Sequence, residues 1–245
     1  MAIQDPRDPC RLGRELTIGM AGGQLLLLAL LWGAVGLGPV GWLAGAVFAA
    51  VTSVALVLAL RRTWARRLGP ANRVTLARAA LVGGVTALVA NGPGGRPLVV
   101  VLVAVASVAL VLDGVDGHVA RRTGTASAVG ARFDMEVDAF LILVLSGFVA
   151  RSLGAWVLTI GAMRYAFVAA ARVLPWLRAP LPPRFSRKVV AALQGIVLVV
   201  ASAGIVPRPA TTALVGLALA ALVCSFGRDV VWLWRTRGTA HRTAR

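Results

Sequence analysis

Residues 113–138 of this 245-residue chain read DGVDGHVARRTGTASAVGARFDMEVD. The window holds five of the nine acidic residues in the sequence, namely Asp113, Asp116, Asp134, Glu136 and Asp138. The chain as a whole is apolar and basic, with 58% hydrophobic residues, 26 Lys and Arg and a formal charge of +17. This composition excludes an ordinary soluble domain and indicates a membrane protein. The positive charge fits anionic membrane lipids as partners, and we expect no nucleic acid.

Apolar stretches long enough to cross a bilayer recur along the whole sequence. A spanning helix needs about 20 mainly apolar residues, and Gly, Pro and Arg separate eight such stretches here. They run approximately 18–37, 40–60, 74–91, 97–119, 127–150, 153–172, 189–206 and 209–231. The sequence therefore predicts an all-α integral membrane protein with about eight transmembrane helices.

The basic residues alternate between the two ends of these predicted helices. Loops rich in Lys and Arg stay in the cytoplasm, and nearly all of the bases lie in segments 1–17, 61–73, 120–133, 172–188 and 232–245. The intervening turns hold only Arg96, Arg151 and Arg208. This alternation predicts that both termini are cytoplasmic and that the acidic window opens to the cytoplasm.

Helical periodicity places the acidic residues of the window on two stripes. Residues three and four apart share a face of a helix. The first stripe contains Asp113, Asp116, Gly117 and Ala120, and the second contains Gly130, Asp134 and Asp138. A turn at 122–125 returns the second helix antiparallel to the first, so the stripes face each other. Four carboxylates are predicted to converge in the cytoplasmic half of the membrane.

Converging carboxylates in a low-dielectric environment need a counter-charge, because otherwise they are driven to protonate. Oxygen ligands without His or Cys favour hard divalent cations over zinc. One ion leaves an excess of negative charge, so we expect two. Magnesium, manganese and calcium all suit such ligands, and we expect Mg²⁺ first, with Mn²⁺ possible. Paired ions of this kind are common in phosphoryl transfer.

A transporter is the alternative function for the same carboxylates, since membrane aspartates also serve proton or cation translocation. Arg121 argues against it. This residue lies one turn from Gly117, where a guanidinium can bind a phosphate oxygen bidentately, whereas a cation path gains nothing from a nearby positive charge.

The spacing of the window carries a family resemblance. The run Asp-x-x-Asp-Gly-x-x-Ala-Arg, eight residues, Gly-x-x-x-Asp-x-x-x-Asp resembles the signature of the CDP-alcohol phosphotransferases, membrane enzymes that make phospholipids, and every fixed position is matched. One predicted helix earlier, residues 72–78 read NRVTLAR. This run resembles the Asn-x-x-Thr-x-x-Arg element that opens the first core helix of the family.

The resemblance implies an architecture and a location. The family core has six transmembrane helices, here over roughly 70–235, preceded by a two-helix hairpin to which the sequence assigns no function. The expected organisation is an N-terminal segment, hairpin and basic interfacial linker over 1–67, the membrane domain over 68–236 and a basic tail over 237–245. The resemblance also suggests a homodimer, and we expect the plasma membrane as its location.

The resemblance further implies an activity, which is metal-dependent transfer of a phosphatidyl group from CDP-diacylglycerol to a hydroxyl acceptor with release of CMP. Asp113, Asp116 and Asp134 would be metal ligands. Asp138 would contact a metal and act as the general base. The residues implied to contact the CDP moiety are Asn72, Arg73, Val74, Thr75, Gly117, Arg121 and Ser127.

Basic residues outside the signature are the candidates for binding the acceptor. Arg164 interrupts an apolar helix and must find a partner or a cavity. Arg184, Arg187 and Lys188 lie together before the next predicted helix. They favour a phosphate-bearing acceptor: glycerol phosphate, inositol phosphate or phosphatidylglycerol. The alternatives are that the loop bases only fix topology and that Arg164 extends to the interface.

Overall fold

The structure is a computed structural model that describes residues 9–63, 70–123, 128–179, 181–182 and 184–237. Within its helices, the side chains of residues 9–18, 59–63, 70–73, 115–123 and 128–129 lie outside this description.

Eight α-helices and no strand make up the described part of the chain, which confirms the all-α prediction. Two short 3₁₀ turns, Ala155–Val157 and Pro175–Arg178, flank the sixth helix. The helices are α1 Pro9–Val35, α2 Pro39–Thr63, α3 Pro70–Ala90, α4 Arg96–Thr123, α5 Ala128–Leu153, α6 Leu158–Val173, α7 Phe185–Ala203 and α8 Arg208–Thr236. Each of the eight predicted stretches overlaps one of them.

Proline and glycine set the ends of these helices. α1, α2 and α3 each begin at a proline, which has no N–H to leave unpaired in the first turn. Gly36 follows the last residue of α1 with φ 68°, and Gly204 follows α7 with φ 63°. A left-handed residue in this position ends a helix, and glycine adopts it without steric cost.

Five segments are long and apolar enough to cross a membrane, judged by length and composition over the described residues. They are Pro39–Leu58, Arg96–Gly114, Ala155–Val173, Phe185–Ala203 and Arg208–Thr236. α1 and α3 carry shorter apolar stretches, Gly19–Val35 and Val74–Ala90. α5 is absent from the set because its first half is rich in charged side chains. The number of crossings and the side on which the termini lie stay predictions.

The chain divides into two compact units, with the boundary between Leu141 and Ile142 inside α5. The first unit contains α1 to α4 and the first half of α5. In this unit α3 packs against α1, α2 and α4. The N-terminal hairpin, α1 and α2, therefore contacts the helix that contains the NRVTLAR run.

Small residues let the hairpin approach α3 closely. A Cβ atom added to Gly41 in α2 would lie 2.8 Å from the backbone carbonyl oxygen of Ala87 in α3. A Cβ atom added to Gly83 in α3 would lie 2.5 Å from the side chain of Gln24 in α1, which is 2% exposed. Such contacts are typical of membrane helices, where close packing of backbones replaces the hydrophobic effect.

Two further contacts hold α2 in the first unit. The backbone N–H of Gly38 donates a hydrogen bond of 2.6 Å to Oδ1 of Asn91, joining the start of α2 to the end of α3. The Phe48 ring lies with its centroid 5.1 Å from that of Phe140 on α5. α2 therefore contacts both α3 and the first half of α5.

The second unit is built around the pairing of α7 with α8. The buried Gln194 side chain donates a hydrogen bond of 2.9 Å from Nε2 to the backbone oxygen of Ala218. Phe167 on α6 meets Phe226 on α8 edge to face, with ring centroids 5.6 Å apart. Interhelical hydrogen bonds and aromatic contacts thus join three helices of this unit.

The close approach of α2 to α3 is testable at Gly41. Gly41→Leu should lower the melting temperature of the detergent-solubilised protein, because the side chain meets backbone atoms that have no room to move. Overpacking of this kind costs about 1–3 kcal/mol. Gly33→Leu is the matched control, since that glycine of α1 is exposed and an added Cβ meets nothing within 4 Å. Equal melting temperatures for the two variants would contradict the packing.

Candidate active site

Four charged residues of the first unit lie near the same end of α3, α4 and α5. α3 begins there, α4 ends there and α5 begins there. Arg78, Asp113, Asp134 and Asp138 each lie about two to three turns from that end of their helix. Residues of three helices thus come together there. Of the predicted turn at 122–125, residues 122 and 123 are the last two of α4, and residues 124 and 125 lie outside the described residues.

The guanidinium of Arg78 lies at the centre of this cluster. Its Nη1 bonds to Oδ1 of Asp113, and its Nη2 bonds to Oδ1 of Asp134. Nη2 also donates to the backbone oxygen of Asp134 at 3.1 Å and lies 3.1 Å from Oδ1 of Asp138. One buried cation therefore contacts three carboxylates. We call these four residues, Arg78, Asp113, Asp134 and Asp138, the Arg78 cluster.

Exposure distinguishes the two sides of the Arg78 cluster. The Arg78 side chain is 1% exposed, whereas those of Asp113, Asp134 and Asp138 are 41%, 31% and 35% exposed. The guanidinium thus forms a buried floor, and the aspartates present their accessible parts on the side away from it. A ligand that reaches this cluster meets carboxylates before it meets the arginine.

The three aspartates fit a hard divalent cation. One carboxylate oxygen from each lies within 4.8 Å of the others. Oxygen ligands at about 2.1–2.6 Å from an ion lie at most about 4–5 Å from one another, so this spacing suits such an ion. Three carboxylates against one guanidinium leave two negative charges in excess, which is the charge that one divalent cation neutralises.

Several predicted site residues have side chains outside the described part of the chain. The side chains of Asn72, Arg73, Asp116, Gly117 and Arg121 lie outside the described residues, and so does Ser127 altogether. Thr75 is 6% exposed and lies three residues before Arg78, on the same face of α3, with Val74 beside it. The predicted fourth carboxylate and most of the predicted nucleotide contacts therefore stay predictions.

The predicted acceptor residues all belong to the second unit. Arg164 is half-buried on α6, Arg184 immediately precedes α7, and Lys188 is exposed in the first turn of α7. Arg187 donates to the backbone oxygen of Pro182, and its Nε lies 3.3 Å from Oδ2 of Asp229 on α8.

Sequence reasoning missed two charged partners. It assigned the whole counter-charge of the aspartates to metal ions, whereas the structure adds Arg78, the last residue of the NRVTLAR run. It also left Asp229 without a role, although this carboxylate is 8% exposed and pairs with Arg187. An Arg inside an apolar helix was the available signal for Arg78, because such a residue needs a partner. Asp229 gave no comparable signal.

Comparison with known proteins identifies the family. The family model described as CDP-alcohol phosphatidyltransferase matches residues 68–226. The chain belongs to the CDP-alcohol phosphatidyltransferase family. Comparisons with curated proteins and with solved structures give no match.

Membership of the CDP-alcohol phosphatidyltransferases fixes the general chemistry. The family consists of membrane transferases of phospholipid synthesis that use a CDP-alcohol and an alcohol acceptor, and it generally depends on a divalent metal. All four residues of the Arg78 cluster lie within the matched residues 68–226. The cluster is therefore the candidate active site of this CDP-alcohol phosphatidyltransferase.

Metal binding at the cluster is testable with Mn²⁺. Asp134→Asn should weaken Mn²⁺ binding by about tenfold or more, measured by electron paramagnetic resonance of the free ion, because it removes one carboxylate of the set. Glu136→Gln is the matched control, since it removes a charge from an exposed position of the same helix and should leave the affinity unchanged. Equal affinities for wild type and Asp134→Asn would exclude this site.

Proposed function

We propose that the chain transfers a phosphatidyl group from CDP-diacylglycerol to a hydroxyl acceptor and releases CMP. The family match supports the reaction class. The observation that carries the proposal is the gathering of Asp113, Asp134 and Asp138 around Arg78, because it unites both ends of the acidic signature with the NRVTLAR run.

The proposed metal ligands are Asp113, Asp116, Asp134 and Asp138. The oxygen-only donor set and its spacing support Mg²⁺, with Mn²⁺ as a substitute. We propose two ions, since Asp116 adds a further negative charge and the diphosphate of the substrate adds more. When bound, divalent cations stabilise negative charge on the diphosphate and on the CMP leaving group.

Asp138 is the proposed general base. Its carboxylate takes the proton of the acceptor hydroxyl as that oxygen attacks the β-phosphorus of CDP-diacylglycerol. A P–O bond forms to the acceptor while the P–O bond to CMP breaks, and its electron pair leaves on the CMP phosphate. The 3.1 Å contact with Arg78 Nη2 supports this role, because it restricts the orientation of the Asp138 carboxylate.

The residues proposed to bind the CDP moiety are Asn72, Arg73, Val74, Thr75, Gly117, Arg121 and Ser127. Thr75 lies on the same face of α3 as Arg78, which supports a role for α3 in binding the CDP moiety. Arg121 would bind a phosphate oxygen bidentately. A buried guanidinium among the carboxylates also disfavours the transporter, because a fixed positive charge competes with any cation that passes.

Arg164, Arg184, Arg187 and Lys188 are proposed to bind a phosphate-bearing acceptor. Glycerol phosphate, inositol phosphate and phosphatidylglycerol all present this chemistry. The ion pair with Asp229 partly neutralises Arg187 and fixes it near Pro182. Arg187 is therefore a weaker candidate than Arg184 and Lys188 for direct contact with the acceptor phosphate.

The proposed setting is the plasma membrane, with both termini and the active site on the cytoplasmic side, where CMP and soluble acceptors are. The matched residues 68–226 support a membrane domain over 68–236, with 1–67 and 237–245 as appended segments. A homodimer is proposed on the family resemblance alone.

Asp138→Asn tests the general base. The purified protein with Mg²⁺ should release CMP from CDP-diacylglycerol and an acceptor, and this variant should lose about 100-fold or more of that rate. The melting temperature should show that the variant is still folded. Glu136→Gln, two residues away and exposed, should keep the wild-type rate.

Full turnover by Asp138→Asn would remove that residue from the mechanism. Absence of CMP release from the wild type with every acceptor, together with uptake of a cation into proteoliposomes, would favour the transporter instead.

Arg164→Gln tests acceptor binding. If Arg164 contacts the acceptor phosphate, its loss should raise the KM for the acceptor by about tenfold, as expected for a charged hydrogen bond worth about 1.5 kcal/mol or more. The KM for CDP-diacylglycerol should stay unchanged. Arg172→Gln, which removes an exposed charge from the same helix, is the control. Equal acceptor KM values in the two variants would contradict the assignment.

A further inference from the structure

Arg78 is buried more completely than its charge would ordinarily permit. Among the residues whose burial the structure describes, it is the only buried basic side chain, with a residue exposure of 0%. A guanidinium inside a membrane helix bundle is strongly destabilising unless it is paired and hydrogen-bonded. Its position therefore depends on the carboxylates around it.

The geometry uses the particular shape of arginine. The two terminal nitrogens point to different partners, Nη1 to Asp113 on α4 and Nη2 to Asp134 and Asp138 on α5. A planar fork reaches two helices at once in this way, whereas the ammonium of a lysine is a single point charge. Arg78 thus connects three helices through one side chain.

The three aspartates also depend on Arg78. Without Arg78 the three aspartates would place three like charges with ligand oxygens within 4.8 Å of one another. Mutual repulsion would then push the three carboxylates apart. The guanidinium lowers the excess to two negative charges and leaves the accessible side of each carboxylate available.

We propose that Arg78 is a positioning residue that holds Asp113, Asp134 and Asp138 together when no metal is bound. The proposal rests on the proposed function in that these aspartates are its metal ligands. The site then keeps its shape between turnovers, after CMP has left. Divalent metal completes the charge balance rather than creating the site.

Arg78→Met in the full-length protein tests this role through thermal unfolding in detergent, with EDTA and with Mg²⁺. In EDTA the variant should melt about 10 °C below wild type, because three carboxylates lose their partner. Mg²⁺ should restore most of the loss, so that its stabilising effect is roughly twice that in wild type or more. Equal losses with EDTA and with Mg²⁺ would overturn the proposal, because simple packing damage does not depend on metal.

Gln194→Met is the matched control for burial. This polar side chain is 1% exposed and donates an interhelical hydrogen bond, but its contact is a backbone carbonyl on α8. The substitution should lower the melting temperature equally with EDTA and with Mg²⁺. A metal-dependent loss in this variant as well would show that Mg²⁺ stabilises any damaged form, and the Arg78 result would then count against the proposal.

Two more variants keep the test decisive. Adding Asp113→Asn to Arg78→Met removes one negative charge and should recover part of the lost melting temperature in EDTA; no recovery contradicts a charge-balancing role. If Arg78→Met gives no folded protein, Arg78→Lys replaces it and should respond to Mg²⁺ more than wild type does, and an equal response overturns the proposal. None of these measurements uses CDP-diacylglycerol. A failure of the Arg78 proposal can therefore be distinguished from a failure of the proposed phosphatidyl transfer, which the CMP-release assay tests.

Discussion

A buried guanidinium surrounded by three carboxylates is the interaction on which the arrangement of α3, α4 and α5 depends. Neither sign of charge is stable alone among membrane helices. Arg78 is fully buried because Asp113, Asp134 and Asp138 surround it, and these aspartates converge because Arg78 lies between them. Mutual dependence of this kind fixes which ends of the three helices meet and leaves the carboxylates accessible on one side.

Packing elsewhere in the first unit positions the same interaction. α3 carries Arg78, and the N-terminal hairpin packs on α3 through Gly41 in α2 and through Gln24 in α1. The hairpin precedes the matched residues 68–226. It is nevertheless in contact with the helix that places the guanidinium, so changes in the hairpin can reach the candidate site through helix packing.

Much of the fold could be predicted from the sequence because the bilayer permits few solutions. Spanning segments must be helical and about 20 residues long, and proline and glycine mark their ends. Hence each predicted stretch overlaps an observed helix. α5 shows why composition alone is insufficient, since the charges that form the site make its first half too polar to count as a spanning segment.

The acidic residues of the candidate site could be predicted from the sequence, whereas its basic residue could not. Asp113, Asp134 and Asp138 stand out in a chain with nine acidic residues, and helical periodicity groups them. Arg78 is one of many arginines, most of which the alternation of charged loops explains. Its partners are 35 to 60 residues away, and only the packing of three helices shows that they meet. The same holds for the pairing of Arg187 with Asp229.

The position of a bound metal tests the central claim most directly. Anomalous diffraction from crystals of the protein grown with Mn²⁺ should show a peak about 2.2 Å from carboxylate oxygens of Asp113, Asp134 and Asp138, on the side away from Arg78. A fully occupied Mn²⁺ peak elsewhere in the molecule, with none at these aspartates, would contradict the assignment of the Arg78 cluster as the metal-binding active site.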